Sequence, residues 1–256
     1  MSIPKIIHQI WLGDDIPIIQ TLYMNKWRTM KGWKYVLWKN NSLTKKNFPK
    51  SWNYIQRSLD IGKELGKNKF AQIADLMRLE ILYNYGGLYA DATLEPLKNF
   101  NKLIKSTDRF VISNEDPCGF HCQGYNDLYY MSNSFIASVP KHTILKRALN
   151  KRNLDKINFR SLHVNVETGP YYIRKHIKED EDDITLIETR IIYPHGYETQ
   201  YKDETEDLCF FYNKNKKSNI KIKKPNNENV YLQYPCNEYP DSYSIKHWDI
   251  GGSWIR

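Results

Sequence analysis

Along Phe70–Leu97, FAQIADLMRLEILYNYGGLYADATLEPL, apolar residues recur first with a helical period and then as a short strand. At 100° per residue, Phe70, Ile73, Ala74, Met77 and Ile81 fall on one stripe. Asp75 and Arg78, three apart, share the other side with Ala71 and Leu82. Gly86-Gly87 ends the helix, because glycine reaches a left-handed cap at little cost. Leu88-Tyr89-Ala90 reads as a strand that runs out at Asp91, and open α/β sheets bind ligands at such strand ends. Pattern alone leaves two readings open. One is a strand-end carboxylate beside a helical Asp–Arg pair; the other is a surface ion pair followed by a turn aspartate.

The remaining pattern supplies the frame. Lys5–Trp11 is a nearly continuous apolar run and predicts a buried strand of a parallel sheet. Within it, His8 reads as a hydrogen-bonded core histidine, and Trp11 as a core aromatic or a stacking surface. Trp27 lies on a helix before Gly32, and Trp33–Trp38 alternates as a second strand. Ser42–Leu65 is polar and helical in pieces, broken at Pro49, and suits a lid or acceptor-side insertion. Arg109–Ser113 reads as a strand, Asn114–Met131 as a long loop, and Ser132–Ser138 as a strand leading past Pro140 to a helix. Pro170 suits a first helical position, with Thr168 as its cap. Glu179–Asp183 reads as a solvated acidic run, Ile191–Pro194 as a late strand, and Lys214–Lys224 as an exposed hairpin or flexible loop. The sum is one α/β domain over residues 1–256 with an open, mostly parallel sheet.

Composition narrows the partners. The net charge of +9 favours anionic partners such as nucleotides, acidic glycans or membrane head-groups, or serves solubility in a Lys- and Asn-rich chain. Nucleic acid is set aside, because the basic stretch Lys214–Lys224 lacks interleaved aromatics. The 19 Tyr and 7 Trp suit stacking on sugars and bases, or a large aromatic core. Cys118 and Cys122 have no second short-spaced pair in Cys209 and Cys236, so free thiols are expected rather than a closed zinc site. The N-terminus lacks signal-peptide architecture, and no run approaches the ~20 apolar residues of a membrane span. The expected location is the cytoplasm, including that of an infected host if the gene is viral, with peripheral membrane contact left open. The Lys/Asn/Ile/Tyr bias points to an AT-rich microbial or large-virus genome.

The helix, the Gly-Gly-Leu-Tyr turn and Asp91 resemble the sugar-transferase family that carries an Asp-x-Asp motif. That family includes yeast outer-chain α-mannosyltransferases and bacterial capsular polysaccharide transferases; clostridial glucosylating toxins share the arrangement more distantly. Ile3–Gly13, Asn133 in its strand, Thr168-Gly169-Pro170 and the C-terminal Lys246-His247-Trp248-Asp249…Ser253-Trp254 match further family blocks in order. The resemblance implies the GT-A nucleotide-sugar transferase fold and a glycosyltransferase. The donor is a nucleotide-sugar, UDP-linked by preference or GDP-mannose. The acceptor is a glycan, polysaccharide or glycoprotein hydroxyl, the anomeric configuration is retained, and Mn²⁺ or Mg²⁺ is the cofactor. It implies catalytic roles for Asp75, Arg78 and Asp91. Donor contacts fall to Gln9, Ile10, Trp11, Tyr89, Asn133, Thr168, Gly169, Ser253 and Trp254. The metal set becomes Asp91, His247, Thr93 and Asp249. The motif departs from the family at Thr93, which stands where its second Asp would be. Lys246 stands where the first of two histidines would be, and the segment between Trp248 and Ser253 is two residues longer than usual. A neutral threonine oxygen is a poorer ligand for a hard divalent ion than a carboxylate. Glu95 is a candidate substitute. A catalytically impaired sugar-nucleotide- or glycan-binding protein of the same fold is the alternative.

Overall fold

The computed structural model describes residues 1–116, 130–178, 181, 183–194 and 241–247, together with the backbone of six short strands between 208 and 235. In chain order come β1 (Ile6–Ile10), α1 (Ile18–Arg28), β2 (Lys34–Trp38), a 3-10 turn (Asn40–Ser42), α2 (Trp52–Leu65), α3 (Phe70–Tyr85), β3 (Gly87–Ala90) and β4 (Leu94–Pro96). Then follow β5 (Phe110–Asp116), β6 (Tyr130–Ser138), α4 (Thr143–Ala148), α5 (Lys151–Leu154), α6 (Val164–Glu167), α7 (Pro170–Arg174), β7 (Ile184–Ile187) and α8 (Thr189–Ile192). The short strands are β8 (Leu208–Phe210), β9 (Tyr212–Asn213), β10 (Ser218–Asn219), β11 (Lys221–Lys223), β12 (Asn229–Tyr231) and β13 (Gln233–Pro235), followed by β14 (Ser244–Lys246).

Six strands form the central sheet in the order β2-β1-β3-β6-β5-β7. β1 runs parallel to both neighbours, β5 is parallel to β7, and β6 is antiparallel to β3 and β5. Five strands therefore point one way, and the expectation of a mostly parallel α/β sheet holds. Apolar side chains cover both faces. Ile10, Trp38, Leu76, Leu79 and Ile136 pack with α2 through α4 on one side. Ile7, Trp27, Leu88, Phe100, Phe135 and Ile192 pack on the other.

β1, β3 and β5 send their carboxyl ends to one edge of the sheet, and β6 begins there. Glycine makes the closest approach possible. Gly87 has φ +97°, and a Cβ on it would stand 2.4 Å from the Ile6 carbonyl. Gly86 has φ 63° and ψ −160°, a region essentially restricted to glycine, so it turns the chain without forming the simple left-handed cap. His8 locks this turn. The Trp38 indole donates to His8 Nδ1 at 3.2 Å, so the neutral ring carries its proton on Nε2, which donates to the Gly86 carbonyl at 3.0 Å.

Three expectations change. Ile191–Pro194 is no strand: Thr189–Ile192 forms one helical turn. That turn buries the consecutive Ile192 and Tyr193 in the same apolar cluster, which an alternating strand would not do. Asn114–Asp116 extends β5, and Tyr130–Met131 opens β6; residues 117–129, with Cys118 and Cys122, lie outside the described residues. Thr168 is not the cap of α7, whose N-cap is Gly169. The hairpin reading of the basic stretch agrees with the pairings β9–β10 and β11–β12. Among the described residues, no helix is long and apolar enough to cross a membrane.

Burial outweighs the bond to Gly86 and brings the His8 pKa down from 6.5 to about 4. Between those values the unfolded chain takes up a proton that the fold refuses, so stability falls as pH drops, by about 3 kcal/mol in all. Urea unfolding of wild type and His8→Gln should therefore show the wild-type advantage narrowing by about 2 kcal/mol from pH 7 to pH 4.5. An unchanged gap would mean that the folded ring accepts the proton.

Candidate active site

α3 is a buried central helix. Nearly every residue from Gln72 to Leu82 is shielded, including Asp75 and Arg78, each 1% exposed. The surface-pair reading is thereby excluded. An unpaired buried ion costs several kcal/mol, so each charge here needs partners. Arg78 Nη2 meets Asp75 Oδ1 at 2.9 Å, and Nη1 lies 3.4 Å from Asp91 Oδ1. Arg78 also donates to the Asn133 carbonyl, and its guanidinium stacks 4.5 Å from the Tyr89 ring centroid. One guanidinium thus joins helix α3, the end of β3 and the start of β6.

The two carboxylates flanking Arg78 differ. Asp75 accepts from Asn133 Nδ2 at 2.8 Å and from the Thr168 hydroxyl at 2.7 Å. Burial dominates, opposed by Arg78 and Thr168, and its pKa rises to about 6. Asp91 accepts from Tyr89 OH at 2.7 Å and from Lys246 Nζ at 2.8 Å. Burial pushes it up, but Lys246, Arg78 and these hydrogen bonds outweigh that and bring it down to about 2. The second cation makes the difference: Asp91 has two, while Asp75 shares one.

Sequence reasoning identified Asp75, Arg78, Asp91, Tyr89, Asn133 and Thr168, and the structure brings all six together. Gly169 follows Thr168 tightly, where a Cβ would lie 2.8 Å from Asn165 Cα. Gln9 sits beneath the cluster: its amide donates to the Ala90 and Asp91 carbonyls at 3.3 and 3.2 Å, and its oxygen accepts from Tyr35 OH at 2.9 Å. It positions the Asp91 turn. Ile10 points into the core, and Trp11 is half-buried, its indole donating to the Asp14 carbonyl at 2.9 Å. Asp249, Ser253 and Trp254 lie outside the described residues.

Sequence reasoning missed Glu115, Ser132, Ser134 and Tyr193, and gave Lys246 no role. The three hydroxyls of Ser132, Ser134 and Tyr193 close a buried ring at 2.8 to 2.9 Å. Glu115 is buried beside them; burial, with the Asp91 charge adding and Lys246 opposing, lifts its pKa to about 7. The sequence carries no local signal for Glu115: Ser113-Asn114-Glu115 prolongs an apolar strand, and only the structure shows these polar residues to be shielded.

The residues proposed for a metal divide into two groups. Lys246, in β14, lies across from Leu94 of β4 and turns to Asp91. The next residue, His247, faces the other way: its ring stacks on Tyr23 at 4.4 Å and bonds Glu95 Oε2 at 3.0 Å, while Lys26 holds the other Glu95 oxygen. Burial, opposed by Glu95, lowers the His247 pKa, so the neutral ring donates to Glu95. Thr93 is half-buried, and its carbonyl accepts from the His247 amide at 3.0 Å. No group of three His, Cys, Asp or Glu is arranged for a metal among the described residues. Among the described residues the donors do not suit a divalent ion: both Asp91 oxygens accept from other donors, one of them an ammonium, and Glu95 serves a separate cluster.

This buried acid–base cluster lies at the carboxyl edge of a mostly parallel sheet, where open α/β sheets bind ligands. The family model "Glycosyltransferase sugar-binding region containing DXD motif" matches residues 19–110, which include α3 and Asp91. That stretch is thus similar to the sugar-binding region of the DXD-motif glycosyltransferases. It is 26% identical over 221 residues to inositol phosphoceramide mannosyltransferase 1 of Schizosaccharomyces pombe, covering 80% of this chain and 62% of that protein. It is 28% identical over 204 residues to the uncharacterized glycosyltransferase L373 of Acanthamoeba polyphaga mimivirus, covering 75% of this chain and 73% of that one. Among solved structures, the PaToxG glycosyltransferase aligns with TM-score 0.48 at 18% identity, over 68% of this chain and 69% of that one.

Asp75 supplies a local test. Because its folded pKa of about 6 exceeds the ordinary 3.8, it is charged in the fold above pH 6 and protonated below. Thr168→Val removes a charge-assisted donor and should cost about 2 kcal/mol at pH 8. The cost should shrink at pH 5, where the carboxyl holds its own proton; urea unfolding at the two pH values reads the difference.

Proposed function

We propose that this chain transfers a hexose from a nucleotide-diphosphate donor to a hydroxyl of a glycan or polysaccharide, with retention of configuration. The Asp75–Arg78–Asp91 cluster, inside the region matched by the DXD-motif family, carries this reading. UDP-sugars are the favoured donors. GDP-mannose is the alternative, and the fission-yeast relatives, named mannosyltransferases, favour mannose as the sugar.

In the reaction, the bond from the anomeric carbon to the diphosphate oxygen breaks and its electron pair leaves with that oxygen. The acceptor hydroxyl attacks the same face, and its proton passes to the departing phosphate oxygen. No protein base is needed, in keeping with a cluster whose carboxylates are tied to cations and donors. Fixed positive charge near the leaving oxygen lowers the barrier most, because it needs no reorganisation. Arg78 supplies fixed positive charge within the cluster, and Asp75 and Asp91 hold it in place.

The test is transfer or donor breakdown by the purified chain with UDP- and GDP-sugars. Asp91→Asn, shown to be folded by circular dichroism, should lose about 10²–10³-fold in turnover. Undiminished transfer would defeat the assignment. Because Thr93 stands in the motif and Asp91 is already ion-paired, a binding protein is the second reading. It predicts nucleotide binding with no release of nucleotide from any sugar donor.

A further inference from the structure

Resting on that transferase reading, we propose that the Lys246 ammonium, 2.8 Å from Asp91 Oδ2, stands in for the divalent cation of the motif and presents positive charge to the donor diphosphate. The donor atoms support the exchange. Thr93, at the motif's second position, offers a neutral oxygen where a hard divalent ion prefers a carboxylate, and the ammonium already occupies Asp91 Oδ2.

The backbone fixes that ammonium on both sides. β14 pairs with β4 in the register Lys246 opposite Leu94, and the His247 amide binds the Thr93 carbonyl at 3.0 Å. The Asp91–Thr93 turn and Lys246 therefore move as one piece. Alternation along this segment sends Lys246 to Asp91 and His247 to Glu95, so the histidine is kept away from the cation's position. Accessibility agrees. The Asp75 and Arg78 side chains are each 2% exposed, while Asp91 is 12% and Lys246 9% exposed, so the Asp91–Lys246 end of the cluster lies nearer the surface.

The experiment measures the affinity of the full chain for UDP and for GDP by calorimetry, in excess EDTA and in excess Mn²⁺. The better-bound nucleotide should have the same affinity in both within about twofold. Lys246→Ala should weaken it about tenfold or more, and Lys246→Arg should recover most of that loss, both variants being checked for folding by circular dichroism. Wild-type affinity higher in Mn²⁺ by about tenfold would overturn the proposal and leave the transferase reading standing, since a metal would then hold the diphosphate. A folded Lys246→Ala that binds like wild type would also overturn it. Failure of wild type to bind either nucleotide in either condition would end both readings.

Discussion

The site depends on one buried guanidinium. Arg78 lies where α3, β3 and β6 meet, and it touches a carboxylate or carbonyl from each. Removing a charge from water is costly, and a chain bearing this one must supply matched partners from every direction. Asp75 comes from one turn earlier on the same helix, Asp91 from the end of the next strand, and the Asn133 carbonyl from a strand more than fifty residues on. Once those partners are set, Tyr89, Thr168, the Asn133 amide and Lys246 find their positions by satisfying the carboxylates in turn. The interaction that makes the site possible therefore also ties the sheet to the helix that covers it.

The neighbouring turn serves the same end. Gly86 and Gly87 bring the end of α3 against β1 so closely that a side chain at Gly87 would collide with the Ile6 carbonyl. His8 and Gln9, adjacent on β1, then fasten the two ends of β3: His8 binds Gly86 before the strand, and Gln9 binds Ala90 and Asp91 after it. β3 is four residues long, and a strand that short has little register preference of its own. Its position comes from being pinned at both ends by side chains of the neighbouring strand.

The two acidic groups beside Arg78 illustrate how environment assigns roles to identical chemistry. Asp91 faces two cations and a phenol and stays ionised to low pH; Asp75, with one shared cation and two neutral donors, is pushed toward neutrality. Glu115 is pushed further, to about 7. A cluster with three carboxyls and two cations can thus adjust its net charge near neutral pH.

Much of the frame was legible in the sequence. The helical stripe and the Gly-Gly break of Phe70–Asp91, the apolar run of β1 and the Pro-led start of α7 are local signals, set by periodicity and backbone sterics. Pattern left Asp75, Arg78 and Asp91 open between a site and a surface ion pair with a turn aspartate, and it was the family resemblance that singled them out. Tertiary structure alone decided what each would touch. No spacing rule joins Lys246 to Asp91 across 155 positions, or Thr168 to Asp75 across 93. Alternation separates Lys246 from His247 in an extended segment, but only the pairing of β14 with β4 shows which acid each one meets. Glu115 escaped notice because a polar strand end reads as a loop until packing shows it to be shielded. Local sequence determined the elements and the charges; long-range pairing and desolvation, which have no sequence period, determined the partners.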